Sequence, residues 1–170
     1  HGCVLARGEV WCWGQNEDGQ LGDNSTTHRW LPVQVQGLPV GPSVRDLALG
    51  TFHSCAVVGD NLYCWGYSSS GQIGRFGSSS VALQVQGFTG SVTAVACGSD
   101  FTCALVDGGV YCLGSNGHGQ LGDGTTTQSE VPVEVVGFWT PEYLRDGDGY
   151  KMDAAAMRKL NAYQGGLDVL

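Results

Sequence analysis

A hairpin with a cysteine at either end is written three times into this chain. The copies run from His1-Gly2-Cys3 to Cys12-Trp13-Gly14, from His53-Ser54-Cys55 to Cys64-Trp65-Gly66, and from Phe101-Thr102-Cys103 to Cys112-Leu113-Gly114. All three cysteine pairs have the same separation, and Arg7-Gly8, Gly59-Asp60 and Asp107-Gly108 stand at their centres. Two-residue turns of this composition supply the positive-φ positions that tight hairpins need. Counting outward from such a turn, each cysteine pair falls on a non-hydrogen-bonded rung, where facing side chains come closest. That geometry suits three cross-strand disulfides: Cys3 with Cys12, Cys55 with Cys64, and Cys103 with Cys112.

Three further landmarks keep step with the hairpins. Gly19-Gln20-Leu21-Gly22, Gly71-Gln72-Ile73-Gly74 and Gly119-Gln120-Leu121-Gly122 follow them. Pro32-Val33-Gln34-Val35, Ala82-Leu83-Gln84-Val85 and Pro132-Val133-Glu134-Val135 come next, each closing on Gly37, Gly87 or Gly137. Val44-Arg45-Asp46-Leu47-Ala48-Leu49-Gly50 then matches Val92-Thr93-Ala94-Val95-Ala96-Cys97-Gly98. A unit of four short strands at a period of about fifty residues is how a β-propeller blade reads. The expectation is an all-β chain, a partial β-propeller of about three four-stranded blades over 1–138, in units of roughly 1–37, 38–87 and 88–138. The strand preceding His1 is missing from the first unit, which predicts a mature or excised piece of a longer protein. Past Gly137 the pattern stops. Residues 139–170 read as a linker and a short C-terminal α-helical tail, with Asp153 as N-cap for 154–164 and Gly165-Gly166 as the stop.

The run Gly8-Glu9-Val10-Trp11-Cys12-Trp13-Gly14-Gln15-Asn16-Glu17-Asp18-Gly19-Gln20-Leu21-Gly22-Asp23 resembles the regulator of chromosome condensation repeat, and its paired cysteines are similar to secreted and crinkly-type variants of that family. The resemblance implies a ring of about seven blades, which at this period needs about 350 residues. An arc of three has open sheet edges, so it implies further blades, a second copy or another subunit as cover. It does not carry function across, because one fold hosts many activities. The family's founding activity, guanine-nucleotide exchange, depends on a wedge inserted in one blade, and no insertion interrupts the landmarks here. Its plant photoreceptor uses a Gly-Trp-Arg-His-Thr motif, where this chain reads Gly50-Thr51-Phe52-His53-Ser54.

Net charge is −8. A phosphate-binding surface wants a basic stripe, so nucleic acid is not an expected partner. No apolar run is long enough to insert in a membrane as a helix. Seven cysteines, six of them evenly paired, favour an oxidising, extracellular or cell-surface setting. Cys97 is the odd one and is expected to be a buried free thiol.

Chemistry is sparse. His1 and His53 share one slot in successive repeats, where Phe101 stands in the third, and no histidine pairs with a nucleophile and an orienting acid. The cysteine spacing is that of a hairpin and not of a zinc site. Asp146-Gly147-Asp148-Gly149 invites a calcium reading, but Leu144 and Ala155 would fill the first and last ligand positions of an EF-hand loop. No enzyme, metal or cofactor is expected. The leading reading is a scaffold that binds a protein partner or further blades of its own kind, with a soluble recognition or inhibitor domain and, less favoured, an exchange-factor-like regulator as alternatives. Candidate binding residues are the column Trp11, Tyr63 and Tyr111, which serves either as core or as contact surface, and His28, Tyr67 and Arg75 in the most divergent loops. Asn24, in Asn24-Ser25-Thr26, is a candidate glycosylation site.

Overall fold

The computed structural model describes residues 1–137, and the expected linker and helix over 139–170 lie outside the described residues. Eleven strands follow one another: β1 (Gly2–Ala6), β2 (Glu9–Gly14), β3 (Arg29–Gln34), β4 (Val44–Leu49), β5 (His53–Val58), β6 (Asn61–Gly66), β7 (Ser79–Gln84), β8 (Val92–Cys97), β9 (Phe101–Val106), β10 (Gly109–Gly114) and β11 (Ser129–Glu134). They form three antiparallel sheets in the orders β1-β2-β3, β4-β5-β6-β7 and β8-β9-β10-β11. Two sheets therefore hold four strands and the first holds three, as the landmarks predict.

The cysteines set the register. Cys3 faces Cys12, Cys55 faces Cys64 and Cys103 faces Cys112. Each pair is disulfide-bonded with a Cα separation of 4.1 Å, the short spacing of a non-hydrogen-bonded rung. Turn chemistry explains how the hairpins close. Arg7 and Gly8, like Asp107 and Gly108, both have positive φ, whereas in the middle hairpin Gly59 takes the positive φ and Asp60 does not. The Arg-Gly and Asp-Gly turns are thus of type I′ and the Gly-Asp turn of type II′.

Apolar seams hold the sheets together. Val10, Leu21 and Val35 of the first sheet pack on Ala56, Val58 and Trp65 of the second. On the far face of the second sheet, Val57, Leu62 and Ile73 meet Val95, Val106 and Leu113 of the third. Covered on both faces, β5 is buried at all six positions instead of alternating. The leucine or isoleucine of each Gly-Gln-x-Gly turn plugs the core, with Leu21, Ile73 and Leu121 all nearly inaccessible. Glycine is required at the start of these turns. A Cβ on Gly19 would meet the Ser80 Cα at 2.7 Å and one on Gly71 the Glu130 Cα at 2.6 Å, both at positive φ. The Gly19 and Gly71 turns thereby press on the outer strand of the following sheet.

Candidate functional site

The loops joining the last two strands of each sheet lie along one rim of the stack. In the first, the buried Asn16 side chain is the hub. Its amide donates to the Asp23 carboxylate (3.1 Å) and to the Ser25 and Thr27 carbonyls (3.1 and 3.0 Å), and its oxygen accepts from the Leu21 N–H at 2.9 Å. Asn116 repeats this in the third loop with Asp123, Thr125, Thr127 and Leu121. Burial pushes the Asp23 carboxyl up, but hydrogen bonds from Ser25, Arg29 and Asn16 outweigh it and hold the group below its ordinary range. Arg29 Nε lies 2.7 Å from that carboxylate.

The middle loop departs from this plan. Ser68 takes the place of the asparagine, its hydroxyl donating to the Arg75 carbonyl. Arg75 stands where the other loops have Asp23 and Asp123, and both it and Phe76 are exposed. The Phe76 N–H donates to the Glu130 carboxylate at 3.0 Å, which ties the loop to β11. Tyr67 meets Phe52 edge-on with ring centroids 6.4 Å apart. Tyr67 and Arg75 were singled out by loop divergence, whereas Phe52 and Phe76 were missed. The replacement of aspartate by arginine at one repeat slot was the available signal.

The other candidates sit apart. Trp11, Tyr63 and Tyr111 occupy one register on three successive sheets, each half-buried. Tyr63 packs on the first seam, and Tyr111 meets Phe88 edge-on at 6.4 Å. His28 is exposed, but its Nδ1 accepts the Asn16 N–H at 3.0 Å, so it braces its own loop. Asn24 is exposed at a positive φ of 61°, with its backbone N–H donating to the Ser80 carbonyl at 2.8 Å.

Polar chemistry in the interior is concentrated at the seams, where one relay occurs twice. His1 Nε2 lies 2.8 Å from Ser54 Oγ, which donates to the Gln20 carbonyl at 3.0 Å. His53 Nε2 lies 2.9 Å from Thr102 Oγ1, which donates to the Gln72 carbonyl at 2.8 Å. Each hydroxyl spends its single hydrogen on the carbonyl, so the histidine Nε2–H must be the donor to it. His53 Nδ1 is left as a buried acceptor without a partner. Burial pulls the His53 pKa down to about 4, which keeps the ring neutral. Asp46 accepts the Val95 N–H at 3.1 Å and links the second and third sheets. His53, Cys55 and Cys97 place their ligand atoms within 4.8 Å of one another. With Cys55 bonded to Cys64, only two donors remain, too few for a zinc site.

The profile of the family described as Regulator of chromosome condensation (RCC1) repeat matches residues 7–57, 60–105 and 107–140. The first two matches each begin at or beside a hairpin turn and run to the next hairpin. A sequence repeat thus supplies two strands of one sheet and two of the following sheet, and ties neighbours covalently. The Ultraviolet-B receptor UVR8 of Arabidopsis thaliana is 38% identical over 72 residues, 42% of this chain and 16% of the receptor. The structure of Kap60 bound to yeast RCC1 (Prp20) superposes with a TM-score of 0.72 over 80% of this chain and 35% of the other, at 21% identity. Human WBSCR16 superposes with a TM-score of 0.66 over 74% of this chain and 34% of the other, at 31% identity. This chain spans about a third of each of those solved chains and a smaller share of the plant receptor.

Proposed function

Because the chain belongs to the regulator of chromosome condensation repeat family, we propose that it is a non-catalytic extracellular scaffold, joined blade on blade to further units of its own kind and binding a protein partner. One observation carries the reading. Trp65 is fully buried, and its indole N–H donates to the Gln20 carbonyl of the preceding sheet at 2.9 Å. Trp13 occupies the same slot one repeat earlier, is 37% exposed, and has no such carbonyl among the described residues.

The surroundings of Trp13 support the same conclusion. Trp30, Leu31, Val4 and Leu5 are exposed on the first sheet. Ser80 and Glu130, the counterparts of Trp30, are pressed by the Gly19 and Gly71 turns of preceding sheets. At the far end the Gly119 turn presses on no other sheet among the described residues. The two ends therefore carry matching parts of a seam the molecule already builds twice, with the first sheet lacking the strand equivalent to β4 and β8. A head-to-tail contact of this kind continues an arc or closes it. Three hairpin disulfides support an oxidising setting.

Sedimentation velocity across a concentration series tests the assembly. The chain is expected to associate with rising concentration, and Trp13→Glu to return it to monomer without unfolding it. A chain that stays monomeric throughout would overturn the reading.

A second reading, a recognition domain presenting one rim of a ring, is favoured by the middle loop. Phe76 is 48% exposed beside Arg75 in an otherwise acidic chain, an arrangement suited to an acidic peptide surface. Yeast RCC1, of similar fold, is itself solved with Kap60 bound to it. Under this reading Phe76→Ala with Arg75→Glu abolishes partner capture and leaves sedimentation unchanged.

A further inference from the structure

Three sulfurs meet in the seam between the second and third sheets. Cys55 on β5 is bonded to Cys64 on β6, while Cys97, the last residue of β8, is buried and free. The Sγ atoms of Cys97 and Cys55 lie within 4.8 Å of each other. The Thr102 hydroxyl touches both, at 3.9 Å from Cys97 and 3.7 Å from Cys55. Register puts the thiol there, because Cys97 pairs with Thr102 across β8 and β9. In the preceding seam the same slot is filled by Leu49, which pairs with Ser54. That seam has a disulfide without an adjacent thiol.

We infer that Cys97 is an exchange partner for the Cys55–Cys64 disulfide. The Cys97 thiolate attacks Cys55 Sγ, a Cys55–Cys97 bond forms as Cys55–Cys64 breaks, and Cys64 leaves as a thiolate that takes up the proton Cys97 released. No oxidant or reductant is consumed. Cys55 Sγ is the disulfide sulfur placed within 4.8 Å of Cys97, and attack is assigned to it. The exchange moves a staple from inside the second sheet to between the second and third. The fold thereby gains a covalent tie across a seam otherwise held by packing and hydrogen bonds.

Burial gates the step. It pushes the Cys97 thiol up to about 12, the Thr102 hydrogen bond pulls the other way, and the Asp46 carboxylate adds to the rise. His53, the other titratable ring facing the cluster, stays neutral. The closed seam thus keeps the sulfur protonated and unreactive. Exchange then follows the thiolate fraction, growing about tenfold per pH unit below the thiol pKa, and also follows opening of the seam.

Disulfide mapping of the full chain tests this, after incubation at graded pH and acid quenching. The expected result is a Cys55–Cys97 linked peptide that accumulates about tenfold faster per pH unit, with Cys64 becoming open to alkylation. The Cys3–Cys12 and Cys103–Cys112 bonds remain, and Cys97→Ala abolishes the product. In Cys64→Ser, mild oxidation with diamide should join Cys55 to Cys97 and leave no thiol to alkylate. The inference is overturned if Cys55–Cys64 persists with Cys97 free up to alkaline pH, or if Cys97 is found on Cys64. It is equally overturned if Cys55 of the variant takes up small thiols while Cys97 stays reduced. Should the variant fail to fold, the mapping of the unaltered chain decides.

Discussion

The two seams of this molecule are built to one plan and finished differently. Between the first and second sheets, the His1–Ser54–Gln20 relay is joined by Trp65, with Leu49 paired to Ser54 across β4 and β5. Between the second and third, His53–Thr102–Gln72 is repeated with the smaller Leu113 in place of the tryptophan and Cys97 in place of the leucine. The Gln72 amide also meets Asp100 at 3.3 Å, whereas the Gln20 amide has no acceptor and Phe52 stands in the corresponding slot. The histidine–hydroxyl–carbonyl relay is thus fixed by strand register and repeats, while the partner of the glutamine amide varies. Bulk is free to vary from seam to seam, provided that the gap is filled.

The largest effect expected from this contrast is at Trp65. Trp65→Ala removes a fully buried indole and its hydrogen bond to the Gln20 carbonyl, which still accepts from Ser54, costing about 3–5 kcal/mol in denaturant unfolding. Trp13→Ala, at the open end, should cost about 1 kcal/mol or less in the monomer. Equal losses would mean that the first sheet is covered after all.

Next comes pH. The unfolded chain protonates His53 near 6.5, but the folded chain holds it neutral down to about 4. Protons therefore favour unfolding within that window. Stability is complete above the unfolded value and falls by about 3 kcal/mol as pH drops from 6.5 toward 4. His53→Phe, copying Phe101 of the third repeat, should flatten that slope. Asp23 acts in a lower window, because its carboxyl is held below the ordinary 3.8 and its contribution disappears only under acid conditions beyond that.

Smaller still are the staples. Each closes a short hairpin loop, so removing Cys3 and Cys12 together should cost about 2 kcal/mol, seen as a lower thermal midpoint. The smallest change in stability, and the sharpest probe of the contrast, is Leu49→Cys. It places a thiol beside the Cys3–Cys12 bond in the first seam. Disulfide mapping at alkaline pH should then show a peptide linking Cys3 to the introduced thiol. Its absence would show that the second seam has something the first lacks.

Much of the architecture was legible because it is local. Cysteine spacing, Arg-Gly, Gly-Asp and Asp-Gly turns, and the Gly-Gln-x-Gly punctuation each dictate the conformation of a few neighbouring residues. The order of landmarks then determined which strands share a sheet. The different fates of Trp13 and Trp65 were not legible, since they depend on whether another sheet lies alongside. The approach of Cys97 to Cys55 was hidden for the same reason, being made across two sheets. Repeat alignment did contain a trace of the seam relay, since His53-Ser54 and Phe101-Thr102 keep a hydroxyl in one slot. Among the loops, the substitution of Arg75 for Asp23 and Asp123 marked the divergent rim, but not that Phe76 would be exposed beside it.

Native-state hydrogen exchange measured strand by strand on the monomeric chain is the most direct test of the open stack. The account predicts that β5 and β6, covered on both faces, exchange slowest and only through global unfolding, while β1 and β3 of the first sheet open early. Uniform protection across all three sheets would contradict it.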